Sequence, residues 1–228
     1  KRIVITILVC GHDVVIIMHK EGDALLIQQP VYYPFREVIE DNGRIFVNNQ
    51  LHYEDGKYTI DFEDFEKKIV DNNVKVFILC NPHNPVGRVW TKEELEKMGD
   101  ICLKHNVVIM DDEIHCDFTY PGFKFTSFMT LDEKYHNSLV LYTSPSKTFN
   151  VAGLQPANII IKNPELRAAY RKANAAAGYS QGSIMGQVAV KSVYTKGDEW
   201  VNELVEYITG NMNYMRDFVK ENFPKAHF

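Results

Sequence analysis

Apolar and polar positions along this chain fall into two alternating kinds of segment. Short, nearly unbroken apolar runs occur at Ala24–Gln28, Arg44–Asn48, Lys75–Cys80, Val107–Met110, Ser138–Tyr142 and Asn158–Ile161. A run with no polar alternation is the pattern of a strand buried on both faces. Between the runs the spacing changes to that of helices. Asp61–Val70 places Phe62, Phe65 and Ile69 on one stripe. Thr91-Lys-Glu-Glu94 is a capping box that starts a second helix, with Leu95, Met98 and Cys102 on its core side and Asn106 near its end. Pro30–Pro34 breaks the first run and turns into a short helix, and Asp55-Gly56 marks a turn. From about Pro164 to Glu221 the pattern is helical, punctuated at Gly197 and Gly210, with Trp200, Leu204, Tyr207 and Ile208 forming a stripe. Alternating β and α segments predict an α/β fold, a mostly parallel sheet sandwiched by helices. No internal repeat, low-complexity tract or flexible linker divides it.

The first eighteen residues resemble a signal peptide only in part: Arg2 precedes an apolar stretch from Ile3 to Cys10. That stretch is too short to span a bilayer. It runs on through His12 and Asp13 into Val14–Ile17 without a small-residue cleavage site, so a strand is expected rather than a targeting signal. The 228 residues are enough for one large core, and 45% hydrophobic with 24% charged residues is the make-up of a globular protein. A net charge of -5 gives no electrostatic footprint for nucleic acid or an anionic membrane. Cys10, Cys80, Cys102 and Cys116 form no CxxC pair and no zinc-ligand cluster with histidine. They are expected to be reduced thiols of a cytoplasmic protein.

The candidate chemistry sits where apolar runs end. Asn81-Pro-His-Asn-Pro-Val-Gly87, Asp112-Glu-Ile-His115 and Ser144-Pro-Ser-Lys147-Thr-Phe each close a run. A lysine, an aspartate, an asparagine and a histidine at strand ends are what an enzyme needs to hold pyridoxal 5'-phosphate (PLP). The lysine amine forms the Schiff base, and an acid opposite the pyridine nitrogen keeps the ring protonated as an electron sink. A buried lysine loses proton affinity and so becomes nucleophilic. Asp111 and Asp112 are adjacent, and side chains alternate along a strand, so only one of them faces the site.

Residues from about Glu21 to Pro224 resemble the large domain of a fold-type I PLP enzyme of the class I/II aminotransferase superfamily. The Asn-Pro-His-Asn-Pro-Val-Gly, Asp-Glu-Ile-His and Ser-Pro-Ser-Lys-Thr-Phe-Asn-Val-Ala-Gly-Leu-Gln segments are similar to the cystathionine β-lyase group of the MalY/PatB type. Ordinary aminotransferases more often carry Tyr where His115 stands and Arg where Gln155 stands, which favours the lyase branch. The resemblance implies Lys147 as the Schiff-base lysine and Cα base, and Asp112 at the pyridine nitrogen. It implies His115 and Asn84 at the cofactor 3'-oxygen, with Asn81 the competing asparagine. It puts Tyr33 over the ring, with Tyr32 as the alternative, and Ser144 and Ser146 in the phosphate cup. The arginine usual eight residues after the lysine is replaced by Gln155, and the glycine turn expected near residues 5–12 is represented only by a displaced Gly11.

The activity implied is a C–S β-lyase that cleaves L-cystathionine or related cysteine S-conjugates to a thiol, pyruvate and ammonia. The alternatives are an aminotransferase and an inactive regulatory or fragment form of the fold. A homodimer acting on an amino acid, with no nucleic acid or membrane partner, is also implied. Residues 1–228 would then be an incomplete PLP-binding large domain. The N-terminal segment, the small domain and its substrate-carboxylate arginine would lie outside, and the helical tail from about Gly197 would lead towards that small domain. A protein of these residues alone is expected to bind PLP weakly and to turn over amino acids poorly.

Overall fold

A computed structural model describes residues 4–9, 12–17, 21–176 and 182–226. The N-terminal stretch forms an antiparallel pair, β1 (Val4–Val9) and β2 (His12–Ile17), as a strand-forming run would. Cys10 and Gly11 lie outside the described residues.

The body of the fold is a six-stranded sheet of β3 (Ala24–Ile27), β4 (Ile45–Asn48), β7 (Val76–Cys80), β8 (Val108–Asp112), β9 (Leu139–Thr143) and β10 (Asn158–Ile160). Their spatial order is β10-β9-β8-β7-β3-β4. All neighbours run parallel except β10, which pairs antiparallel with β9. A small hairpin, β5 (His52–Glu54) and β6 (Lys57–Thr59), turns at Asp55-Gly56. Both turn residues have positive φ, 49° and 79°, as a two-residue type I' turn requires.

Helices cover both faces, and the odd and even residues of each strand divide between them. On one face α1 (Pro34–Asp41) and α4 (Pro164–Ala176) pack Phe35, Ile39, Leu166 and Tyr170 onto Leu25, Ile27, Val76, Ile78, Met110 and Val140. On the other, α2 (Phe62–Asp71) and α3 (Lys92–Lys104) pack Phe65, Ile69, Leu95, Met98 and Cys102 onto Leu26, Phe77, Leu79, Ile109 and Leu139. This two-sided burial is why the strands read as continuous apolar runs. The Asp61 side chain caps α2, and the Thr91–Glu94 capping box is made in full.

Two helical expectations change. Gly210 does not interrupt the helical region: α5 (Ile184–Lys196) and α6 (Asp198–Asn222) meet at Gly197, and α6 runs unbroken through Gly210. The apolar stripe on α6 does not enter the core either, since Trp200 is 53% and Tyr207 70% exposed. Gly197 is required where it stands. A Cβ there would meet the Val193 carbonyl oxygen and the Phe149 ring at 2.4–2.6 Å.

Candidate active site

The site is assembled at the C-terminal ends of β7, β8 and β9, where an open α/β sheet places its ligand crevice. Cross-strand register puts Cys80, Asp112 and Tyr142 side by side on one face. A cleft above them is lined by Tyr32, Cys80, Asn84, Asp112, Ile114, His115 and Lys147. Four residues implied as cofactor partners are therefore brought together: Lys147, Asp112, His115 and Asn84.

Asp112 is buried, and its Oδ1 accepts the Ile114 N–H at 3.2 Å. Burial pushes its carboxyl up to about 7, against the pull of the Ile114 N–H and the Lys147 charge. Such a carboxyl ionises readily once a cation is set beside it. Asp111 is fully buried on the opposite face, as strand alternation requires.

His115 is half-buried, and burial followed by the nearby Lys147 charge lowers its pKa. The imidazole is therefore neutral at pH 7, with one N–H to donate.

Lys147 stands in the turn after β9. Its neighbours are fixed: Phe149 N–H donates to the Pro145 carbonyl at 2.9 Å and Val151 N–H to the Ser146 carbonyl at 3.1 Å. Thr148 Oγ1 donates to Asp117 Oδ2 at 2.7 Å, and Trp200 Nε1 to the Thr148 carbonyl at 3.3 Å. The lysine side chain itself is exposed at the mouth of the cleft. The burial expected to make it nucleophilic is thus not supplied by the packing of the described residues, because the turn carries it above the sheet.

The loop Asn81–Gly87 is held from three sides. Asn81 N–H donates to the Asp112 carbonyl at 3.0 Å, and Trp90 Nε1 donates to the Cys80 carbonyl at 3.0 Å. His83, which burial pushes down to about 4 and so keeps neutral, meets the Pro30 carbonyl through Nε2 at 3.0 Å. That contact ties the loop to the segment bearing Tyr32. Between the two asparagines, Asn84 lines the cleft, while the Asn81 side chain turns away to the Thr126 carbonyl at 3.1 Å.

One implied placement needs correction. Tyr33, the first choice over the ring, caps the start of α1 and is 70% exposed, outside the cleft lining. Tyr32 lines the cleft instead, its ring edge-on to Phe35 at 5.8 Å. Ser144 and Ser146 are buried but face each other (Oγ to Oγ 2.8 Å), and Ser144 donates to the Pro156 carbonyl at 2.6 Å. Neither lines the ring-end cleft.

Sequence reasoning missed Cys80, Ile114 and Tyr142. Register with Asp112 would have found Cys80 and Tyr142, had the strand pairing been known. The Tyr142 hydroxyl is buried with no hydrogen-bond partner among the described residues. The described residues contain no group of three or more His, Cys, Asp or Glu that could hold a metal ion. No helix is long and apolar enough to cross a membrane.

The residues at the ring end of the cleft fit PLP. They offer a buried carboxyl for a cationic nitrogen, a lysine amine, a neutral imidazole and an amide for an oxygen, and an aromatic face.

Comparison with known proteins agrees with this geometry. The family model for aminotransferase class I and II matches residues 11–225. Cystathionine beta-lyase PatB of Bacillus subtilis is 43% identical over 205 residues, 90% of this chain and 53% of the relative. The crystal structure of cystalysin from Treponema denticola, which contains a PLP cofactor, superposes with a TM-score of 0.88 at 40% identity, covering 90% of this chain and 52% of that one. The PLP-bound C–S lyase from Staphylococcus hominis gives a TM-score of 0.84 at 34% identity, covering 91% and 52%. The chain spans about half the length of the curated relatives it matches. It belongs to the aminotransferase class I and II family.

Proposed function

We propose that this chain carries the cofactor-binding part of a PLP-dependent C–S β-lyase, which cleaves L-cystathionine or a related cysteine S-conjugate to a thiol, pyruvate and ammonia. The observation that carries the reading is the single cleft that Lys147 shares with Asp112, His115 and Asn84. Similarity to relatives named as cystathionine β-lyase and C–S lyase selects the branch.

Bound in the cleft, PLP would supply an electron sink for the pair left when the substrate Cα proton is removed. Lys147 Nζ would anchor the cofactor and then, set free by the incoming amino group, take that proton. Asp112 would hold a negative charge against the ring nitrogen and so keep it protonated. Neutral His115 and the Asn84 amide would donate to the ring oxygen. Tyr32 would cover the ring face. With the pair delocalised, the β-thiolate is the leaving group, and hydrolysis of the remaining enamine gives pyruvate and ammonia.

An aminotransferase shares every residue of this account up to proton removal, and the family description keeps it as the second reading. The two separate on one assay. The lyase releases pyruvate from cystathionine with no added keto acid, one equivalent per thiol. Thiol-free turnover that depends on a keto acid would assign the aminotransferase.

We further read the protein as a cytoplasmic homodimer acting on an amino acid. Cys80, Cys102 and Cys116 are free thiols, and the α5–α6 face exposes Met185, Trp200, Tyr207 and Tyr214. The helical region from Gly197 onward is read as leading out of this large domain towards a smaller one.

A further inference from the structure

Behind Asp112, on the far face of β8, lies a second acidic group that the proposed chemistry does not use. Asp111 and Glu113 are two residues apart on an extended segment, so their side chains share a face. The ladder continues through this point, since Glu113 N–H donates to the Tyr142 carbonyl at 2.9 Å. Asp111 is 0% and Glu113 2% exposed.

Their surroundings differ. Glu113 Oε1 accepts the Phe128 N–H at 2.9 Å, and the nearby Ser127 hydroxyl also lowers its pKa. Neither oxygen of Asp111 has a donor within hydrogen-bond geometry, since the nearby Asn81 amide, which pulls weakly on its pKa, spends its N–H on the Thr126 carbonyl at 3.1 Å; the Asn81 Oδ1 lacks a donor too. The other titratable or polar groups acting on the pair are Asp112 on the same strand, the Cys116 thiol beyond it, the buried Cys80 thiol at the end of β7 and the Asn81 amide that follows. No lysine, arginine or histidine among the described residues forms an ion pair with either carboxyl. A buried carboxylate with no donor and no cation is strongly disfavoured, and two adjacent ones more so.

We propose that Asp111 and Glu113 hold one proton between them in the folded protein, carried on Asp111 and donated to the Glu113 carboxylate. The pair then acts as a positioning clasp for the turn that bears Asp112 and His115. The proton satisfies Asp111, and the charge stays on Glu113, whose carboxylate accepts the Phe128 N–H. Glu113 thereby ties the end of β8 to the 127–128 loop. The clasp sets one negative charge behind Asp112 instead of two, which leaves Asp112 free to ionise against a cation in the cleft. Burial and the Glu113 charge, both raising the Asp111 pKa, agree with this assignment.

The sign of the pH effect follows. The native pair keeps a proton that the unfolded chain loses at the ordinary carboxylate pKa of about 4. Stability from the clasp is therefore complete below that range and declines as pH rises towards the raised native value. In the full-length protein, the unfolding constant should rise with pH about tenfold per unit more steeply in the wild type than in Asp111→Asn, from about pH 5 upward until the raised native pKa is passed. The neutral asparagine should retain kcat. Infrared spectra of the PLP-loaded protein at neutral pH, where a cation beside Asp112 keeps that carboxyl ionised, should show a protonated-carboxyl band that Asp111→Asn removes. If Asp111→Asn does not fold, Glu113→Gln serves: it removes the Glu113 charge, so the Asp111 pKa should fall and the extra slope should end at a lower pH than in the wild type. If neither variant folds, the wild-type band at neutral pH decides. Equal pH slopes in the wild type and a folded variant, or no protonated-carboxyl band in the wild type, would overturn the proposal. Because these readouts do not depend on the reaction catalysed, they stand apart from the lyase reading.

Discussion

Asp112→Ala is expected to lower kcat/KM by roughly 10²–10⁴-fold, while Asp111→Asn leaves it nearly unchanged. Removing one partner of a buried charge pair costs about 3–5 kcal/mol, because the other charge is left uncompensated in a low-dielectric site. On the proposed function that other charge would be the protonated ring nitrogen of PLP, which Asp112 would keep protonated as an electron sink. Asp112 is 6% exposed and lines the cleft, whereas Asp111 is fully buried on the opposite face of the same strand. The two variants therefore test side-chain direction rather than charge alone. Steady-state kinetics on both, beside a titration of cofactor affinity, checks the contrast. Equal losses in the two would contradict the assignment.

Lys147→Ala is expected to remove turnover almost completely. Two losses combine. The cofactor has no covalent anchor, and the Cα proton has no base at a site where a positioned base contributes about 10²–10⁴-fold. The protein itself should fold normally, because the Lys147 side chain is exposed and the turn is held by the Thr148–Asp117 and Trp200–Thr148 hydrogen bonds. An unchanged circular dichroism spectrum with turnover at background is the expected pair of results. Retention of a tenth or so of wild-type activity would place the base elsewhere.

The sheet was readable in the sequence because its strands are buried on both faces. Lys75–Cys80 needs no alternation to be recognised, and the Thr91–Glu94 capping box marks α3 by local hydrogen bonding alone. The candidate site segments were readable for a related reason: they close those same runs, so finding the strand ends finds the Asn81–Gly87 loop, Asp112 and Lys147. Side-chain direction beyond a strand end was not. The choice between Tyr32 and Tyr33, or between Asn84 and Asn81, depends on how Pro30–Pro34 and Asn81–Gly87 turn. Those turns are set by the contact between His83 and the Pro30 carbonyl, 53 residues away in sequence. Ser144 and Ser146 fit a phosphate cup by spacing, yet the Pro156 carbonyl claims the Ser144 hydroxyl. Gly210 carries no signal that separates a helix stop from a tolerated interior glycine, and α6 absorbs it. The Cys80–Asp112–Tyr142 row was invisible because it exists only once strands are in register, whereas Asp111 and Glu113 share a face by alternation and only their burial without a cation needed the packed sheet.

The measurement that bears most directly on the account is borohydride reduction of the PLP-loaded full-length protein, followed by peptide mapping. The account predicts one stable cofactor adduct, on the peptide containing Ser144-Pro-Ser-Lys147, and none in Lys147→Ala. An adduct on another lysine, or no adduct at all, would contradict it.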